Sequence, residues 1–350
     1  MISPMPVSIP VISETTLTAA ASSVEINVPA GYEILFLEHH SVYGDNTAVQ
    51  LLDMTFNGDT AANYDSSRRS FGSASSTSNA QSLIQIGACG DTDGNKPHDN
   101  GTHVIFNRAS QEKVVMGTRH YFIGKTGGIG DDCYGGHNEA KWRNTSDPIT
   151  LITITPSVGN FTANSKFILR GFRADSAPAL GGRDIVQLIG STELTGSQEN
   201  ITFSGIPPGY GILWLFWHFM YGDNILQKNM GVNFNSDGGN NYDFSLQKFG
   251  SATSTTNGAT QILLGVFSDT DGAAINANGF AVIFNQNGQE KVVVGTNTDV
   301  DKSGGNAEDL DGYHIEGKWR TATEINSVTV LSGGINFVSG AKVWLLGAKL

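Results

Sequence analysis

Two short constellations in this chain carry residue types that could do chemistry. His40, Tyr43, Asp45 and Asn46 lie close together, and His218, Tyr221, Asp223 and Asn224 repeat them. Histidine, tyrosine and aspartate can ligate a metal. A tyrosine face beside an Asp-Asn pair also suits a sugar, which offers C–H faces and hydroxyls. The plainer reading is a strand end, because Gly-Asp-Asn is ordinary turn chemistry that leaves His and Tyr to bond locally. Asp91, Asp93, Asp269 and Asp271 open two Asp-Thr-Asp-Gly segments that resemble the start of a calcium loop. Such a loop needs further ligands at regular spacing and a closing bidentate Glu. Gly272-Ala273-Ala274-Ile275 supplies neither, so we read a turn and expect no metal or other cofactor.

A third segment, residues 137–143, recurs as residues 314–320. Strand alternation puts His137, Glu139 and Lys141 on one face, where a His–Glu pair could do acid–base work or join a metal site. Against that stands a polar outer face, or a subunit interface in an assembled ring. No nucleophile, oxyanion-type loop or carboxylate pair accompanies the segment, so no catalytic residue and no enzymatic activity are expected. Trp142 is expected to pack against a sandwich edge. Cys89 and Cys133 align with Phe267 and Leu310, which makes them read as small buried hydrophobes; a disulfide has little support. Gly124-Lys125-Thr126-Gly127-Gly128 lacks the glycine spacing of a phosphate-binding loop.

The elements that position these residues are repeated. His218 follows His40 by 178 positions, and the same offset relates Asn63-Tyr64-Asp65 to Asn241-Tyr242-Asp243 and Phe106-Asn107 to Phe284-Asn285. It becomes 177 at Trp142 and Trp319 and 176 at Phe161 and Phe337. Slips of one residue over so long a stretch mean duplication of a whole domain. The expected organisation is an arm over residues 1–6, a module over 7–173, an Ala/Pro/Gly-rich linker over 174–183, and a second module over 184–350. Within each copy the apolar period is two, as at Ile34 to His39 and at residues 149–155, with Asn57-Gly58-Asp59 and Ser236-Asp237-Gly238-Gly239 as turns. The 43 glycines, with Val, Ile and Phe in short runs, agree with an all-β chain. We expect two tandem homologous antiparallel β-sandwich domains, jelly-roll-like, with roughly eight strands each.

Charge and hydropathy limit the partners. A net charge of −12 argues against a nucleic-acid binder, which needs a basic face. No apolar run approaches the roughly 18 residues of a spanning helix, so no membrane insertion is expected; Gly211 to Tyr221 is strand-length. Met1 to Pro10 has neither the basic start nor the apolar core of a signal peptide.

The closing stretch of the first copy is the most specific. Trp142-Arg143-Asn144-Thr145, the alternating residues 149–155, Gly159-Asn160-Phe161, Ser165 and Leu169-Arg170-Gly171 together resemble a terminal module recurrent in tailed-bacteriophage virion proteins. The second copy departs from it, with Thr321-Ala322 for Asn144-Thr145 and Gly334-Ile335 shifting the turn. The resemblance implies a non-enzymatic virion structural protein: a capsid decoration, head-fibre, baseplate or tail component. Its partners would be other virion proteins and further copies of itself. Its location would be the virion, assembled in the host cytoplasm. The alternative is a receptor-binding or carbohydrate-binding adhesin for host surface glycans. It would use His40, Tyr43, Asp45, His218, Tyr221, Asp223 and the loop aromatics Tyr121, Tyr134 and Tyr313. A polysaccharide depolymerase fits poorly, since its usual scaffold is a long parallel β-helix with clustered carboxylates.

Overall fold

A computed structural model of the chain describes residues 9–42, 44, 50–70, 75–89, 99–123, 132–173, 186–223, 228–248, 253–267, 276–301 and 309–349. Every regular element among them is a β-strand, and every pairing is antiparallel. The chain divides into two compact units, Ile9–Asp175 and one spanning Ser176–Leu350. Each is a two-sheet sandwich.

The first unit holds β1 (Val11–Thr16), β2 (Val24–Asn27), β3 (Tyr32–Val42), β4 (Gln50–Phe56), β5 (Tyr64–Ser70), β6 (Ser75–Gln81), β7 (Ile84–Cys89), β8 (Asp99–Phe106), β9 (Lys113–Ile123), β10 (Asp132–Trp142), β11 (Leu151–Pro156) and β12 (Lys166–Arg173). One sheet has the order β1-β12-β3-β8-β9-β10-β5-β6 and the other β2-β11-β4-β7. The pairs β2·β11, β4·β7 and β5·β6 are nested, and β3·β10 would complete the series had the β8–β9 hairpin not entered between them. This is one long hairpin rolled across two sheets, which is jelly-roll winding. Roughly eight strands were expected. The eight of the roll are present, and β1, β12, β8 and β9 widen one sheet.

The second unit repeats the plan with β13 (Val186–Glu193), β14 (Asn200–Ser204), β15 (Tyr210–Met220), β16 (Lys228–Phe234), β17 (Tyr242–Lys248), β18 (Thr253–Ala259), β19 (Ile262–Phe267), β20 (Ala277–Phe284), β21 (Lys291–Asp301), β22 (Asp309–Trp319), β23 (Ser327–Leu331) and β24 (Lys342–Lys349). Its sheets run β13-β24-β15-β20-β21-β22-β17-β18 and β14-β23-β16-β19.

Alternation decides the two faces of each strand. Leu35, Leu37, Ile105, Val115 and Ala140 point inward from the wide sheet and meet Ile26, Met54, Phe56, Ile84, Ile152 and Ile154 from the narrow one. Leu213, Leu215, Trp217, Ile283, Val293 and Ile315 do the same opposite Ile201, Val232, Phe234, Ile262 and Val330. The β4–β5 connection begins with a tight turn closed by Asp59 N–H to Phe56 O at 2.9 Å, with positive φ at Asn57 (52°) and Gly58 (69°). Both central residues need the left-handed region there, which Asn-Gly supplies at little cost.

Asparagine amides then tie sheet to sheet. Asn107 Nδ2 donates to Tyr32 O (3.0 Å) and Ile149 O (3.2 Å), and its Oδ1 accepts from Ile149 N (2.5 Å). Asn285 repeats this, donating to Tyr210 O (2.9 Å) and accepting from Ile325 N (2.8 Å). A buried amide thus replaces ladder bonds where the chain crosses between sheets.

Candidate functional site

The repeated Trp-Arg pair builds the best-tied polar network of each sandwich. Trp142 is in the core, where a sandwich edge was expected. Its strand places it on the inward face, stacked on Tyr64 (6.3 Å, 15°) and tilted against Phe56 (5.7 Å). The indole N–H donates to Asp59 Oδ2 at 2.7 Å, so the ring is buried with its one polar atom satisfied. Trp319 stands likewise against Tyr242 and Phe234, with its N–H on Asp237 Oδ2 at 2.8 Å. Burial pushes the hydroxyls of Tyr64 and Tyr242 up to about 12. Arg143 grips the buried Asp65 with Nε (2.7 Å) and Nη2 (2.5 Å). Lys141 sits 3.8 Å from the same carboxylate and 3.1 Å from Glu112. This is a structural clamp.

The polar-outer-face reading of the 137–143 segment holds in one copy and fails in the other. Glu316 is 64% exposed and Lys318 41% exposed. Glu139 and Lys141 are 4% and 1% exposed, so that face is buried in the first unit.

The strand-end candidates are dispersed among different roles. His40 is partly exposed, with Nε2 3.3 Å from Glu38 Oε2. His218 is fully buried. Tyr221 is half-buried, T-shaped at 4.8 Å to Phe219, and burial raises its hydroxyl. Asp223 clamps Asn336, accepting from its N–H (3.0 Å) and its Nδ2 (2.6 Å); those two bonds hold its carboxyl below the usual range. Asp223 in the second copy is therefore a pin on Asn336. Tyr313 is 9% exposed in β22. Tyr121 and Tyr134 are backbone register partners on β9 and β10. Tyr43, Asp45, Asn46, Asn224 and the four aspartates 91, 93, 269 and 271 lie outside the described residues, as do the side chains of Tyr121, Tyr134 and Cys133. No group of three or more His, Cys, Asp or Glu among the described residues could hold a metal. Cys89 is buried, with its Sγ 3.8 Å from Gln50 Oε1.

Two features escaped sequence reasoning. One is a polar cluster inside the first sandwich. His39 Nε2 lies 3.3 Å from Asp99 Oδ2, both fully buried. The His39 and His103 rings stack at 5.6 Å. His103 Nε2 faces Asn138 Oδ1 at 3.3 Å, and Asn138 Nδ2 donates to Gln85 O. Desolvation, with the neighbouring His39 next, drives the His103 pKa down to about 3. The signal was the inward parity of His39 and its alignment with Trp217. The repeated His40 drew attention instead.

The other feature is an apolar patch on the outward face of the second wide sheet. Phe284 is 46% exposed, Val292 43% and Val294 37%. Register places Ile212, Phe284, Val292 and Lys318 in one cross-strand row, and Trp214, Val282, Val294 and Glu316 in the next. The charged β22 side chains thus border apolar ones. The matching residues of the first copy, Phe106, Val114 and Met116, are buried. Consecutive Val292, Val293 and Val294 carried the signal, since a strand with one face in water should not be apolar at every position.

No family model and no curated protein matches the chain. One solved structure, titled "Unveiling the Mechanism Behind the in-meso Crystallization of Membrane Proteins", aligns at 12% identity over 82% of this chain and 83% of that chain, with a TM-score of 0.13. A likeness that low carries no argument.

Proposed function

We propose that this chain is a non-enzymatic structural component of a tailed-bacteriophage virion that works through contacts with neighbouring subunits. The observation that carries the reading is the exposed patch of Phe284, Val292 and Val294 across two adjacent cross-strand rows, bordered by Glu316 and Lys318. Contiguous exposed apolar surface with a polar border is what protein interfaces use. The tandem architecture supports it, because two sandwiches in one chain multiply the contacts one subunit can make. The resemblance of residues 142–171 to a phage terminal module supplies the biological setting.

The test is made on particles. Mass spectrometry and reconstruction of virions from the phage encoding this chain should find it at a repeated position on capsid or tail. Phe284→Asp should cut its incorporation at least about tenfold while leaving the folded chain intact, since a charge at the centre of an apolar contact is costly. Absence of the chain from the virion overturns the reading. Binding to a glycan array by chain that does not assemble would favour the adhesin instead.

A further inference from the structure

The two copies share a fold but not an interior. At one place the first holds His39, Asp99, His103, Arg119 and Asn138, and the second holds Trp217, Ala277, Ala281, Asn297 and Ile315. These residues occupy the same register positions of β3, β8, β9 and β10, and of β15, β20, β21 and β22. In the second copy the large indole fills the space, donating to Asn297 Oδ1 at 2.8 Å. In the first, two imidazoles fill it. Glycines make room for both arrangements. A Cβ on Gly101 would lie 2.4 Å from His39 Cε1, and one on Gly117 2.1 Å from His103 Cδ2. A Cβ on Gly279 would lie 2.3 Å from Trp217 Cζ2.

The imidazoles sit among buried polar groups. Asp99 Oδ2 lies 3.3 Å from His39 Nε2 and also accepts from Ala88 N (2.8 Å). Arg119, across β8 from His39, is 5% exposed and repels a charge on His103. The narrow sheet approaches them at Gly87, where a Cβ would lie 3.4 Å from His39 Nε2, and at Gln85 O, which accepts from Asn138; Cys89 pairs with Gln50 two residues on, and Asp53, which interacts with Arg68, pairs with Gln85. Phe167 flanks His39 from β12. A fully buried imidazole stacked on a second one is far from water, and burial disfavours its charged form.

We propose that this cluster is a proton-operated latch: acidification favours an opened first sandwich in which His103 leaves its stack and takes up a proton, while the second, locked by Trp217, stays closed. The sign follows from where the proton goes. His103 is kept neutral when folded, down to about 3, and has an ordinary value near 6.5 once exposed. Its contribution to stability is therefore complete above 6.5 and is lost as the pH falls from there towards 3. Asp53 acts in the opposite sense. Burial raises it to about 6, so it takes up a proton more readily folded than unfolded and masks part of the effect.

Cys89 reports the opening. It is fully buried on β7, and both cysteines of the chain lie in the first copy. The experiment uses the full chain with Cys133→Ser, so that one thiol remains, and Asp53→Asn, to silence the opposing group. Labelling by a pyridyl disulfide is followed from pH 7 to pH 5 and normalised to an unfolded control. Peptide-resolved hydrogen exchange follows the second sandwich. We expect labelling to accelerate about 25-fold over that range, the ratio set by protonating one group of ordinary histidine pKa. With His218→Gln also in place, so that the second sandwich has no fully buried histidine of its own, its protection, corrected for the pH dependence of intrinsic exchange, should not change. Adding His103→Gln, or the set His39→Trp, Asp99→Ala, His103→Ala and Asn138→Ile copied from the second sandwich, should abolish the acceleration. Labelling that is flat with pH in the parent overturns the proposal. So does equal loosening of both sandwiches, or an acceleration that persists in whichever variant folds.

Discussion

Asn107→Ala should destabilise the first sandwich selectively. The substitution removes three hydrogen bonds and leaves the Ile149 N–H, on a residue that is 1% exposed, without its acceptor. An unpaired buried backbone group costs about 1–3 kcal/mol, and the lost carbonyl contacts add to it. A total of about 3 kcal/mol follows. For a domain of this size that lowers the unfolding temperature by about 6–12 °C. Hydrogen-exchange mass spectrometry of the full chain through a urea titration reads the two sandwiches separately by peptide. Protection in β3, β8 and β11 should collapse at lower urea, while β15, β20 and β23 keep their midpoint. Asn285→Ala should give the mirror result. A loss under about 1 kcal/mol, or an equal shift of both sandwiches, would refute the idea that this amide carries the crossing between sheets.

Other substitutions test the remaining geometry. Trp142→Phe keeps an aromatic in place but strips Asp59 of its indole donor, and should cost the first sandwich about 1–2 kcal/mol in chemical denaturation. Trp319→Phe should raise the Asp237 pKa in an NMR titration. The indole bond is the main cause holding that carboxyl below its ordinary value, so the stability it lends is present above about pH 4 and lost on acidification. Gly117→Ala should cost about 1–3 kcal/mol by overpacking His103, whereas Gly58→Ala has open space and costs about 1 kcal/mol through its φ of +69° alone; thermal melts separate the two. Arg143→Lys should lose the two-pronged grip on buried Asp65 and lower the first sandwich's midpoint by about 1–2 kcal/mol.

The sequence made the strands and the duplication legible because alternation survives wherever one face is buried. Leu35, Leu37 and the 149–155 run announce their strands without any help from tertiary structure. β6, reading Ser75-Ser76-Thr77-Ser78-Asn79-Ala80-Gln81, has no apolar alternation, and β18 has little. They are strands because the tip of the rolled hairpin is paired to β5 and β17, a long-range cause that periodicity does not register. The strand-end residues were legible as types but not as roles. Asp223 looked like a ligand and is a pin for Asn336. His40 and His218 align, yet one is partly exposed and the other buried, since burial depends on everything packed against a strand. His39 was overlooked because a single histidine in an apolar run reads as a strand end until its partners on β8 and β10 are known.

The rolled hairpin has a kinetic consequence. In each sandwich the strand that completes the wide sheet comes last in the chain: β12 slots between β1 and β3, and β24 between β13 and β15. During synthesis the first sandwich stays unfinished, with β1 and β3 unjoined, until Arg173 has emerged. Such long-range closure is slow. A chain with two copies then offers two candidates for the same slot, and swapped pairing is the characteristic failure of tandem repeats. Leu169-Arg170-Gly171-Phe172 and Leu345-Leu346-Gly347-Ala348 keep the shared glycine but differ around it. Arg170 finds Glu38 at 3.0 Å only in its own sandwich; at the matching position of the other, Phe216 would leave the guanidinium unpaired. Divergence between the copies therefore works as an address label, which directs each closing strand to the sheet it belongs to.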